Sequence, residues 1–228
     1  MSLVKLKVTA LIFLLTLSCL GYSQDKPYRF GFKAAPNIAW IAPDSKDYEN
    51  DGSKLGFSWG LLADFALAEN YFIKSGFSMD YLNAKLRFPY ATAADTGMMN
   101  RTYHLRYLEI PVTLKMRTNK FGKTAYFGEL GFGTSFNIRA KSDDEFQPDY
   151  AAVSTSEADI RDDIALFKES LIVGAGMEYF FDESTSLVLE LSFHNGLTDI
   201  LTGENTKETT IKQNGILYCF QFNVGIMF

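Results

Sequence analysis

Apolar and polar residues alternate with a period of two in eight separate runs along this chain, the mark of strands with one greasy and one polar face. The last run is the plainest. In GILYCFQFNVGIMF, Ile216, Tyr218, Phe220, Phe222, Val224, Ile226 and Phe228 share one face, and Cys219, Gln221, Asn223 and Gly225 share the other. Near the start, Tyr28, Phe30, Phe32 and Ala34 alternate with Arg29, Gly31 and Lys33. Leu55, Phe57, Trp59, Leu61, Ala63 and Phe65 then alternate with a face that includes Ser58, Gly60 and Asp64. A third run, about 71–87, sets Ile73, Phe77, Met79 and Tyr81 against Lys74, Gly76, Ser78 and Asp80. The fourth opposes Leu108, Ile110, Val112, Leu114 and Met116 to Tyr107, Glu109, Pro111, Thr113 and Lys115. The fifth opposes Tyr126, Leu130, Phe132, Phe136 and Ile138 to Glu129, Gly131, Gly133, Ser135, Asn137 and Arg139. In the sixth and seventh, Val173, Ala175, Met177 and Tyr179, then Leu187, Leu189, Leu191 and Phe193, face away from Glu178 and Glu190. A helix fits none of these runs, because residues at i and i+2 point to opposite sides of a helix. Only 154–167 departs from the pattern, with Ile160, Ile164 and Phe167 at helical spacing, and there the reading is a loop with at most a short helix.

Connections alternate as regularly as the strands do. Residues 67–70, 118–123 and 182–185 are tight turns, whereas 41–53, 88–102, 142–163 and 195–213 are long and polar. Short turns at one end and long loops at the other predict an all-β fold: a closed, eight-stranded antiparallel up-and-down transmembrane β-barrel with short periplasmic turns and long extracellular loops. Strand one must pair with strand eight, since lipid cannot satisfy an open sheet edge.

Period alone does not say which face points inward, but size does. An eight-stranded barrel is just wide enough to be filled by side chains, so inward Phe, Trp, Leu and Met on every strand would overpack it. The apolar faces therefore point out to lipid. The expected lumen is a charge network of Arg29, Lys33, Asp64, Lys74, Asp80, Glu109, Lys115, Glu129, Arg139, Glu178 and Glu190. A charge in so narrow a space must be paired or hydrated, so the reading is a salt-bridged plug that fixes strand register, preferred over a carboxylate-lined ion path. Tyr71, Tyr126, Tyr179, Phe181 and Phe228 near the short turns suit an interfacial girdle.

The N-terminus adds export. Lys5 and Lys7 precede an apolar run, 8–17, too short to span a bilayer, and small or polar residues follow; this is the layout of a secretory signal peptide covering 1–24, leaving 25–228 as one barrel domain. A lipoprotein signal centred on Cys19 is the competing reading. Removing the leader moves the net charge from −5 to −7, and with basic residues scattered among acids no face suits nucleic acid. Cys219 is then the one remaining cysteine, which argues against a disulfide framework and a cysteine metal site.

The stretches YLEIPVTLKMR and YFGELGFGTSFNIRAK, residues 107–117 and 126–141, resemble the PorT-like outer-membrane β-barrel family typical of Bacteroidetes. That resemblance implies an eight-stranded barrel in the outer membrane. The family's namesake serves the type IX protein-secretion and gliding apparatus, but most members have no assigned role.

Chemistry is sparse. His194 and Asp199 near the end of strand seven, and His104 near that of strand four, are the candidates for a rim-active hydrolase, without any nucleophile motif beside them. The acidic run KSDDEFQPD matches no calcium loop. Pro111, mid-strand, removes a ladder hydrogen bond and predicts a bulge or distortion. The expectation is a monomeric, non-enzymatic barrel without cofactor or metal. Its partners are outer-membrane lipid and an envelope protein met through loops or periplasmic turns.

Overall fold

The computed structural model describes residues 28–92, 95–148, 153–203 and 213–228; the expected signal peptide, 1–24, lies outside these. Nine strands follow one another: β1 (Tyr28–Pro43), β2 (Glu49–Ala68), β3 (Tyr71–Ala91), β4 (Thr96–Arg117), β5 (Thr124–Pro148), β6 (Val153–Asp159), β7 (Phe167–Phe180), β8 (Ser186–Asp199) and β9 (Gly215–Met227). The possible helix within 154–167 is reduced to one 3-10 turn, Arg161–Asp163.

All pairings are antiparallel, and eight strands form the ring. β1 pairs with β2 on one side and β9 on the other, β4 with β5, and β5 with β7, so the sheet closes as expected. The ninth strand is not a stave. β6 pairs only with the extracellular end of β5, extending the wall upward where the sequence reading has a loop. The long loops are correspondingly shorter than expected: β3 runs to Ala91 and β4 begins at Thr96, so most of 88–102 is strand.

Alternation carries through into the wall. Phe132 is 58% exposed and Leu130, Trp59 and Phe222 are about half exposed, whereas Asp64, Glu109, Glu178 and Ser192 are almost wholly buried. The greasy face is the outer one. One bulge alters the parity: Arg106 opposes Arg139 and Tyr107 opposes Asn137, leaving Ile138 as an extra residue in β5. Because successive strand residues point to opposite faces, one inserted residue inverts everything beyond it. Ala140 and Ser142 are buried as a result, and Arg139 is turned to the outer face with Arg106.

No register shift occurs at Pro111. Instead the β3–β4 ladder skips from Lys74–Thr113 to Ser78–Glu109, and the Ser75 hydroxyl donates to the Pro111 carbonyl at 2.9 Å. The missing N–H of Pro111 interrupts the ladder without displacing it.

The interior is layered. Its extracellular half is an apolar core in which Ile41, Leu82, Leu86, Phe88, Tyr103, Leu105, Tyr107 and Leu217 are packed together. Tyr48 folds in from the β1–β2 connection and stacks on Phe88 with ring centroids 4.8 Å apart. Apart from one Arg101–Asp144 pair above this core, charge occupies the middle and periplasmic part. The expectation of a lumen filled by charges is therefore half of the picture, because the inward positions of the extended β3 and β4 are apolar.

Candidate functional site

The inward charges of β1, β2, β4 and β7 meet near the periplasmic mouth. Asp64 accepts hydrogen bonds from Arg29 at 3.0 Å and Lys115 at 2.8 Å. Glu178 accepts from Arg29 at 3.0 Å, from Arg117 at 3.2 Å and from Lys115. The same cations sit against aromatic faces: Lys115 lies 4.4 Å from the Phe127 ring centre and Arg117 4.6 Å from that of Phe72. Lys120, from the β4–β5 turn, lies 4.1 Å from the centre of Phe180. Cation–π contact in a desolvated site adds to the ion pairs, and together these groups close the mouth.

One level up, Lys74 bridges two carboxylates, donating to Glu129 at 2.8 Å and Glu190 at 2.5 Å. Thr113 donates to Glu129 and Asn223 to Glu190, so both acids have further partners. Glycine makes room for this pair. A Cβ at Gly174 would come within 2.8 Å of Glu129 Cγ.

The third level is built on Glu109. Ser135 donates to it at 3.1 Å, Lys168 approaches to 3.7 Å, and His194 Nδ1 stands 3.3 Å from its Oε1. Asp80 accepts from Ser78 at 3.1 Å. Lys33 is within electrostatic reach of Asp80, Glu109 and Glu190 and forms no direct ion pair among the described residues. Ten of the eleven charges expected in the lumen thus lie there. Arg139 does not, and the Ile138 bulge is the reason.

The expected charge network omits Arg117, Lys168 and His194, the last placed on the polar face of its strand but read as a rim residue. Each has the parity of its neighbours Lys115, Ser170 and Ser192, so carrying the alternation one or two residues further would have found Arg117 and Lys168. With them, among the described residues below the apolar core, six inward acids, Asp64, Asp80, Glu109, Glu129, Glu178 and Glu190, face six bases, Arg29, Lys33, Lys74, Lys115, Arg117 and Lys168. A balanced interior is what a closed, poorly hydrated space requires.

His194 calls for a chemical test, because Ser192 Oγ lies 3.3 Å from its Nε2 and Glu109 lies beyond its Nδ1. That is the order of a nucleophile, base and orienting carboxylate. Glu109 Oε1 has no aligned hydrogen bond, however, and Ser192, His194 and Glu109 are all nearly inaccessible under the apolar core. Among the described residues the serine is 1% exposed. Asp199, expected near His194, instead ends β8 opposite Ile216. His104 lies on the outer face between Asn83 at 2.9 Å and Asp143 at 3.0 Å.

The extracellular end is capped by Arg101. Its guanidinium makes a bidentate pair with Asp144, at 2.8 and 2.7 Å, and reaches Asp163 at 3.5 Å while lying over Phe88. Burial pushes the Tyr48 phenol beneath it up to about 12, so that group stays neutral. Above the cap, two open clefts of about 240 and 480 Å³ flank the β4–β5–β6 projection; the smaller is lined by polar residues including Asn100, Asp143 and Ser154, the larger by Tyr90, Met99, Phe146 and Val153.

A solved structure shares this architecture. The outer membrane protein OprG from Pseudomonas aeruginosa is similar with a TM-score of 0.52 at 10% identity, covering 89% of this chain and 97% of its own. Neisserial surface protein A gives 0.49 at 11% identity, with 89% and 96% covered. No curated protein matches the sequence. The family model described as "Outer membrane protein beta-barrel domain" matches residues 22–202, from ahead of β1 through β8. A closed ring with a lipid-ready outside, an ion-paired inside and that match leave one conclusion: the chain belongs to the outer membrane protein beta-barrel domain family and resides in the cell outer membrane.

Proposed function

We propose that this is a sealed, non-catalytic barrel that acts through its extracellular projection. The observation that carries the reading is the filled interior: an aromatic and ion-paired layer at the periplasmic mouth, a charged middle and an apolar core above it. Eight strands leave no spare width for an aqueous path once these side chains are in place. What remains available is the outside. β5 has 25 residues, which at about 3.4 Å rise and about 40° tilt reach roughly 65 Å, more than twice the apolar band of about 25 Å. Its upper part, with β4 and β6, stands in the medium and presents Asp143, Glu145 and Ser154–Ser156 around the polar cleft. Loops and projections held on a rigid scaffold are where contacts with partners concentrate.

Planar-bilayer recording of the purified barrel tests the sealed interior; insertion without stepwise current is expected, and a steady conducting state contradicts it. Affinity capture from native envelope, with the full chain and with a chain lacking 143–159, tests the projection. A partner held only by the full chain is expected. A second reading follows the PorT-like resemblance, whose two stretches are the paired strands β4 and β5 and supply Glu109, Lys115 and Glu129 to the lumen. It makes the barrel a secretion or gliding component that contacts its machine through the periplasmic turns. Unchanged cargo export in a deletion strain would remove it.

A further inference from the structure

On the outer wall, Arg106 of β4 and Arg139 of β5 are direct cross-strand partners. Like charges placed opposite one another destabilise a sheet, so a pair in that position calls for a counter-ion. Neither guanidinium makes an ion pair among the described residues. Arg106 lies 5.0 Å from the centre of the Tyr81 ring, its neighbour on β3. The acids just above are already engaged: Glu157 accepts from Lys141, and Asp143 accepts from His104 and from the Glu157 N–H. Glu157 feels the field of Arg139 but spends its hydrogen bond on Lys141.

The height of the pair decides what the counter-ion is. Met116, beside Tyr71 at the periplasmic border, begins the outward apolar row of β4, which continues through Leu114, Val112, Ile110 and Leu108. Arg106 is the next outward residue. Ten residues at about 3.3 Å rise and about 40° tilt place it roughly 25 Å above Met116, the height at which an outer-membrane barrel leaves hydrocarbon. Directly below, Ile110, Phe132 and Ile138 are exposed apolar surface fit for acyl chains.

We propose that Arg106 and Arg139, with Tyr81 beside them, form a binding site for the phosphate headgroup of a lipid in the outer leaflet, its acyl chains lying along the β4–β5 wall. The fork of an arginine matches phosphate oxygens, and two forks at one level suit a single anionic headgroup. The site depends on the bulge. Without the extra Ile138, Arg139 would point into the lumen and Arg106 would stand alone.

The test uses the full barrel in neutral detergent, titrated with diphosphoryl lipid A and with the phosphate-free glycolipid digalactosyl diacylglycerol, and read by native mass spectrometry. Binding of the phosphorylated lipid is expected to exceed that of the glycolipid. Arg106→Gln with Arg139→Gln should weaken it roughly thirty-fold, while Arg106→Lys with Arg139→Lys, which keeps the charge but loses the forks, should weaken it less. Wild-type binding should also fall as ionic strength rises, a measurement that stands even if a variant folds poorly. Equal binding of the two lipids, an unaffected glutamine variant, or full displacement by millimolar inorganic phosphate would overturn the proposal, the last by reassigning the pair to free anions.

Discussion

Lys74→Met is the sharpest perturbation of the lumen, because one ammonium there holds two carboxylates. At an effective dielectric constant of about 20, contacts of 2.8 and 2.5 Å are worth about 6 and about 7 kcal/mol of attraction. Repulsion between Glu129 and Glu190 and the desolvation of all three groups consume much of that. Breaking a buried pair from one side costs about 3–5 kcal/mol in measured cases, and Thr113 and Asn223 do not supply the missing positive charge. The expected loss is in that range. It is read by equilibrium urea unfolding from lipid vesicles, followed by fluorescence of Trp40 and Trp59. Adding Glu129→Gln and Glu190→Gln to Lys74→Met removes the stranded charges and should restore most of the stability. A loss below about 1 kcal/mol, the range of exposed pairs, or a triple variant as unstable as the single one, would refute the claim that these charges neutralise one another inside the wall.

Two further outcomes follow from the same structure. Leu105→Ala, in the extracellular core, should cost about 2–5 kcal/mol in the same assay, as for other buried leucines. Asp182, in the β7–β8 turn, accepts hydrogen bonds from the N–H groups of Thr185 and Ser184, which hold its carboxyl below the usual range. A depressed folded-state value means stability that is present above the ordinary aspartate pKa of about 3.9 and lost as pH falls through the folded value. Asp182→Ala should therefore destabilise the barrel at neutral pH, and the gap to wild type should shrink in acid. A gap independent of pH would contradict the assignment.

Strand period, turn lengths and barrel width make the closed ring and its inside-out polarity legible in the sequence alone, because each is a local or geometric constraint written into consecutive residues. Arg139 is not legible there. Its place depends on one bulged residue, Ile138, and nothing in the stretch around it distinguishes a regular strand from a bulged one until β4 is laid alongside. The apolar extracellular core is hidden in part for a related reason: Phe88 and Met99 have inward parity only once β3 and β4 are known to continue through 88–102, whereas Leu82 and Leu86 already lie in the third run. Residues 88–102 are polar enough on the other face to pass for a loop. Pro111 is legible as a break in hydrogen bonding, but not whether the ladder slips or merely skips, since that depends on Ser75 of the neighbouring strand. His194 shows the same limit, its partner being Glu109 across the lumen and not Asp199 nearby in sequence.

Depth-dependent quenching by brominated lipids tests the orientation of the wall most directly. Two single-tryptophan barrels are needed, each carrying Trp40→Phe and Trp59→Phe, one with Phe132→Trp and the other with Phe127→Trp, positions 58% and 5% exposed respectively. The account predicts strong quenching at position 132 by bromines placed deep in the acyl chains and almost none at position 127. Quenching at 127 with protection at 132 would mean that the charged face meets the lipid, and the account would be wrong.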